Sequence, residues 1–159
     1  MNEKICCFTG HRQIPNKLAV PLMNLMEAEL ESLISKGYAV FRVGGALGFD
    51  TLAALAVIRA RIKHSHIKLE LCLPCKNQSE FWSQSQKDTY NLILGMADDI
   101  RYVGDTYTSS CMFERNRMLV NGSSFCIAFY RPNSTGGTSY TVKYAAKMKV
   151  PCLNLFNRL

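Results

Sequence analysis

No apolar run in these 159 residues approaches the roughly 20 that a helix needs to cross a bilayer. Low-complexity tracts are missing too, and with 48% hydrophobic and 19% charged residues the composition is globular, not disordered. There is no Lys/Arg block and no basic stripe interleaved with aromatics. The net charge of +7 therefore favours an anionic partner, and a small anion ranks ahead of nucleic acid. The opening Met1-Asn2-Glu3-Lys4 leads into an apolar run cut short by Thr9-Gly10-His11-Arg12. That run is too short for a secretory signal, so a cytoplasmic setting is expected. Cysteine is not scarce. There are seven, an odd number, and Cys6, Cys7, Cys72 and Cys126 lie in strand-like runs. They read as reduced core residues, not as a disulfide frame.

The most informative stretch runs from Val43 to Asp50. A β-branched and aromatic run, 38–43, reads as a buried strand. The Ala/Leu-rich run after Asp50 reads as a helix. Gly44, Gly45 and Gly48 sit between them. A strand, a glycine turn and a helix N-terminus make an anion site, because the first helical N–H groups lack partners in the chain. The same pattern also suits a tight connection that binds nothing.

Strand-like and helix-like segments alternate along the rest of the chain. Residues 5–9 form a first strand. Apolar residues at helical spacing from Leu18 to Ile34 predict a helix over 18–36, stopped by Gly37. A helix is expected over 48–63, a strand over 67–73 ended by Pro74, and an irregular-starting helix over 77–96. A short strand at 100–103, a helix at 111–121 and the strongest strand at 124–130 follow. A helix over 138–149 and a strand over 150–155 close the chain. With no hairpin between strands, the pattern predicts one three-layer α/β domain over 1–159. Its sheet is mostly parallel and covered by helices on both faces. Ligands of such sheets bind at the carboxyl ends of the strands, where three glycine-bearing loops converge: 9–12, 44–50 and 131–138.

Several residues carry chemistry within that frame. His64 and His66 precede a Cys72-x-x-Cys75 pair, but along a strand His66 and Cys72 stand roughly 20 Å apart, too far to share an ion. No metal site is expected. His11 and Arg12 follow the first strand, where arginine can grip phosphate and histidine can bond a ribose. Asp50 is either a favourable acid in a first helical turn or an acceptor for ribose or base. Met112, Met118, Leu119 and Val120 form one stripe of their helix, so Arg115 is expected to project in one fixed direction away from it. Gly136, Gly137 and Thr138 open the last helix with free N–H groups and a hydroxyl, suited to phosphate or to a simple cap.

Four segments in this order resemble the SLOG superfamily, and in particular its YpsA-like branch. They are Cys7-Phe8-Thr9-Gly10-His11-Arg12, Gly44-Gly45-Ala46-Leu47-Gly48-Phe49-Asp50, Met112-Phe113-Glu114-Arg115-Asn116 and Gly136-Gly137-Thr138. The resemblance implies a Rossmann-like fold that binds a nucleotide or a nucleotide-derived ligand, in a homodimer or larger assembly. Relatives include the DprA proteins, which bind single-stranded DNA, and the LOG phosphoribohydrolases, which release a base from a nucleoside monophosphate. Against the LOG pattern, Arg115 takes the place of the catalytic arginine and Asn116 that of a lysine. Tyr140 and Thr141 stand where the acidic residues should be. N-glycosidic cleavage usually employs a carboxylate, so the departure tells against that reaction.

The resulting expectation is a nucleotide-binding protein, a ligand sensor in one form. Gly44, Gly45, Gly136, Gly137 and Thr138 would hold phosphate. Arg12 and Arg115 would supply charge, Asp50 polar recognition, and Gly10, His11 and Gly48 the rest of the site. No cofactor and no membrane partner are expected. A LOG-like hydrolase with a displaced acid and a DprA-like DNA binder are the alternatives.

Overall fold

The computed structural model describes residues 3–159. Its elements alternate as the hydrophobic pattern requires: β1 (Lys4–Gly10), α1 (Asn16–Ser35), β2 (Tyr38–Val43), α2 (Phe49–Lys63), β3 (Lys68–Cys75), α3 (Gln84–Met96), β4 (Asp99–Gly104), α4 (Cys111–Val120), β5 (Phe125–Phe129), α5 (Gly137–Lys147), β6 (Cys152–Asn154) and a closing 3-10 turn, Leu155–Arg158. The six strands form one parallel sheet in the order β4-β3-β2-β1-β5-β6. This is an α/β, Rossmann-like fold. The chain builds outward from β1 in one direction as far as β4, then returns to place β5 and β6 on β1's other side. α4 makes that return, so it crosses the sheet from β4 to β5.

Alternation along the strands assigns the two faces. Cys6 and Phe8 of β1, Phe41 and Val43 of β2, and Leu69, Leu71 and Leu73 of β3 pack with α1 and α2 in the larger core. α1 contributes Leu22, Met26, Leu30, Leu33 and Ile34, one face of its 3.6-residue repeat. Cys7, Cys72 and Cys126 point to the opposite face, under Leu119 and Val120 of α4 and Ala145 of α5. That smaller core also holds Arg42, 8% exposed. Its guanidinium donates to the Asn121 carbonyl at 2.5 Å and pairs with Glu70 at 3.2 Å. A cation at the last carbonyls of α4 answers the negative helix end.

Three boundaries depart from the sequence expectation. β3 continues through Pro74 to Cys75, because the last β2 residue, Val43, pairs with Leu71 and leaves Pro74 no β2 N–H bond to spoil. α3 begins only at Gln84, behind turns over 76–82. A capping box sets its start: the Ser83 hydroxyl accepts from the Gln86 N–H, and the Gln86 side chain accepts from the Ser83 N–H. β6 is three residues long because the Asn154 side chain takes the Phe156 N–H at 3.2 Å and turns the chain.

Candidate ligand-binding site

The strand order reverses between β1 and β5, and their following loops diverge around a crevice at the carboxyl edge of the sheet. A cavity of about 430 Å³ lies there. The β1–α1 loop contributes His11 and Arg12, α2 contributes Asp50, and α4 contributes Arg115 and Asn116. The β5–α5 side adds Thr135, Gly137 and Thr138.

Arg115 and Asp50 form its floor, each 5% exposed. The Arg115 guanidinium is fixed twice: Nη1 donates to the Gly44 carbonyl, and Nε donates to the Asn116 side chain at 2.9 Å. Asp50 Oδ2 accepts from the Ala46 N–H at 3.1 Å. Among the described residues, Nη2 of Arg115 and Oδ1 of Asp50 have no hydrogen-bond partner in the protein. Asn116 reaches on to the Gly137 carbonyl at 3.4 Å, linking α4 to the start of α5. Arg115 does not stand opposite the Leu119 stripe as expected. It shares that buried face, one helical turn earlier, because α4 is pressed between the sheet and α5.

Burial is the largest influence on the Asp50 carboxyl and raises it to about 6, against the opposing pull of Arg115 and the Ala46 N–H. The consequence for stability follows from linkage. Well below pH 4 the acid is neutral in both folded and unfolded chains. As pH rises toward 6 the unfolded chain ionises first, so the folded state loses stability across that window. The stability of the native chain relative to Asp50→Asn should fall by up to about 3 kcal/mol between pH 4 and pH 7. Urea titrations of both proteins at several pH values measure it, and parallel curves would refute it.

The glycines divide into two groups. Gly44, Gly45 and Gly48 do not line the cavity. A Cβ on Gly44 would lie 2.7 Å from Arg115 Nη1, so this glycine admits the guanidinium. Gly45 turns toward Leu73 and Gln78 instead. Gly48 (φ 76°) lies against the Arg12 backbone, and the next N–H, of Phe49, donates to the His11 carbonyl at 3.0 Å. The α2 N-terminus thus spends its first donor on binding the two loops together. Gly10 packs on the Phe49 ring and also borders the cavity. Gly136 (φ 111°) starts α5, whose N-terminus carries no side-chain cap. Gly137 and Thr138 present that end to the cavity.

His11 holds the loops in register. Its Nε2 accepts from the Arg131 N–H at 2.9 Å, which requires the neutral ring. Partial burial, and then the Arg131 charge, lower its pKa and favour that form. Sequence reasoning missed the β4–α4 loop altogether. Tyr107 and Ser109 line the cavity together with Met112 and Phe113, yet nothing local marks Tyr107, 66% exposed, as part of a site. His64 pairs with Glu31 at the far end of the molecule, away from Cys72 and Cys75. Among the described residues no helix is long and apolar enough to cross a membrane.

The family model for YpsA, described as the YspA SLOG family, matches residues 7–152, from β1 into β6. The chain belongs to the YpsA family. All four segments that form or brace the crevice fall inside the matched span. The SPbeta prophage-derived protein YoqJ of Bacillus subtilis (strain 168) is 32% identical over 145 residues, covering 83% of this chain and 84% of that protein. A UPF0398 protein of Bacillus pumilus (strain SAFR-032) is 28% identical over 153 residues, covering 89% and 81%. The X-ray structure of TM1055 shares the fold, with a TM-score of 0.58 over 94% of this chain and 72% of that one at 15% identity.

Proposed function

We propose that this YpsA-family chain, taken as one Rossmann-like domain, binds a nucleotide or nucleotide-derived anion in the crevice between β1 and β5. It would report that ligand to other components, without a bound cofactor. One observation carries the reading. Two side chains of opposite charge are buried at the switch point, each with one end tied to backbone and the other unused. Burying such groups is costly, and their free ends open onto the crevice, where a ligand can complete their hydrogen bonds. A ligand with phosphate for Arg115 Nη2 and a hydroxyl or amino donor for Asp50 Oδ1 completes them. The uncapped α5 start and Thr138 supply further donors to phosphate, and Arg12 supplies charge. Gly44 and Gly48 serve this site from behind, by letting Arg115 and the β1–α1 loop close in, and Gly45 lets the turn pack on Leu73 and Gln78. Gly10, His11, Gly136 and Gly137 shape the loops that face it. The reading includes a homo-oligomer and a cytoplasmic setting, the latter supported by six buried free cysteines.

A second reading is N-glycosidic cleavage with a displaced acid, and the cavity lining favours a definite residue for it. Asp50 is the one carboxylate among the lining residues. Tyr140 is engaged by Arg117 at 2.7 Å, Thr141 by the Gly137 carbonyl at 2.8 Å, and Glu114 lies outside the lining.

Thermal unfolding with a panel of nucleoside mono- and diphosphates and dinucleotides, run alongside an assay for released base, separates these readings. Stabilisation without release is the expected result. Release abolished by Asp50→Asn would establish the hydrolase. Indifference to every nucleotide, with salt-sensitive binding of oligonucleotides, would overturn the proposal in favour of a nucleic-acid binder.

A further inference from the structure

Outside the crevice, β1, β5 and β6 carry a row of cysteines. Cys7 is the direct register partner of Cys126, and Cys126 is the partner of Cys152. Register partners on neighbouring strands point to the same face and stand about 4.8 Å apart. That spacing lies inside the roughly 4.4–6.8 Å range of Cα separations that a disulfide bridges. The three differ in access. Cys7 and Cys126 are fully buried, whereas Cys152, on the edge strand, is exposed. An oxidant reaches Cys152 first, and Cys126 is the thiol lying beside it.

We propose that Cys152 and Cys126 form a reversible cross-strand disulfide when the protein meets a peroxide-class oxidant. The Cys152 thiolate attacks one peroxide oxygen, the O–O bond breaks, and hydroxide or alkoxide leaves and takes up a proton, giving a sulfenic acid. The Cys126 sulfur then attacks the Cys152 sulfur, the S–O bond breaks, and water departs with the Cys126 proton. Two thiols lose two electrons and the peroxide gains them. Hydrogen bonding with Cys126 lowers the Cys152 pKa, while Cys126 is raised by bonding to Cys152 and Cys7, so the roles of attacking and resolving thiol agree with exposure.

The bond would join β6 to β5 two residues before a second attachment. Asn154 clamps Tyr130 at both backbone groups, accepting from its N–H at 3.1 Å and donating to its carbonyl at 2.9 Å. Tyr130 begins the loop that carries Thr135 to the cavity. Oxidation therefore adds a covalent tie to the edge strand on which that loop is hung, which the reduced chain holds by hydrogen bonds and by the packing of Leu153 and Leu155.

The test uses the full reduced chain, treated with hydrogen peroxide, alkylated and digested for mass spectrometry. A cross-linked peptide pair joining Cys126 to Cys152, cleaved by dithiothreitol, is expected. The oxidised native chain should also melt at a higher temperature than the reduced one, and Cys152→Ser should lose both effects. In Cys126→Ser the sulfenic acid should persist on Cys152 and be trapped by dimedone. Recovery of Cys152 as free thiol or as sulfinic acid in the oxidised native chain overturns the proposal. So does first reaction at any other cysteine in Cys126→Ser.

Discussion

Replacing Arg115 by methionine should remove the thermal response to every nucleotide that stabilises the native chain, and weaken affinity by about 100-fold or more. Hydrogen bonds to a charged group contribute about 1.5–3 kcal/mol each, and Nη2 with the guanidinium charge accounts for at least one and the charge attraction beyond it. The loss of stability without ligand should be smaller, about 1–3 kcal/mol. Methionine fills a similar volume and spares the desolvation of a buried cation, but the Gly44 carbonyl loses its donor. Asp50 also loses its compensating charge and shifts further toward the neutral acid. Calorimetric titration with the strongest nucleotide of the panel, beside urea unfolding of the same two proteins, reads both numbers. Unchanged nucleotide affinity in a folded Arg115→Met protein would remove Arg115 from the site.

Gly48→Ala should be the most destabilising single methyl group that can be added near the crevice, costing about 3 kcal/mol or more. Its backbone is left-handed at φ 76°, and the new Cβ would fall 2.1 Å from the Arg12 carbonyl oxygen. The obstacle is backbone, so no rotamer change relieves it, and the loop bond from Phe49 to His11 must break or stretch. Gly136→Ala is the comparison. Its φ of 111° is equally unsuited to alanine, but nothing lies within 4 Å of the added carbon. It should cost only the backbone strain, about 1–3 kcal/mol. Denaturant unfolding of both variants separates steric collision from conformational strain, and equal losses would show that the loop contact at Gly48 adds nothing.

The layered fold was legible in the sequence because apolar strand-like runs alternate with helical stretches, periodic in α1 and Ala/Leu-rich in α2, and because the absence of hairpins leaves parallel crossovers as the connection. That a crevice would lie at the carboxyl edge was legible for a related reason: parallel strands bring all their following loops to one edge. Arg115 and Asp50 could be named as candidates, but their depth could not, since a charged run such as Glu114-Arg115-Asn116-Arg117 looks the same solvated or packed. Only the pairing of α4 with α5 and the sheet decides that Arg115 and Asn116 go inside while Glu114 stays out. Gly44, Gly45 and Gly48 read as a phosphate turn, and their neighbours reveal another need for small residues: the passage of Arg115 at Gly44, the Leu73 side chain at Gly45 and the Arg12 backbone at Gly48. Tyr107 escaped notice because its place on the wall depends on where the β4–α4 loop comes to rest, which no local pattern encodes.

Arg42 and Gly44 lie two residues apart at the end of β2, and between them they hold both halves of α4. Arg42 grasps the carbonyl beyond its last turn, and the Gly44 carbonyl receives Arg115 from its first half. A helix fastened at two points to one strand cannot slide or tilt without breaking a buried bond. It works as a fixed jaw. Among the described residues, the facing wall, formed by residues 107, 109, 135, 137 and 138, carries no comparable pair of side-chain ties to β2.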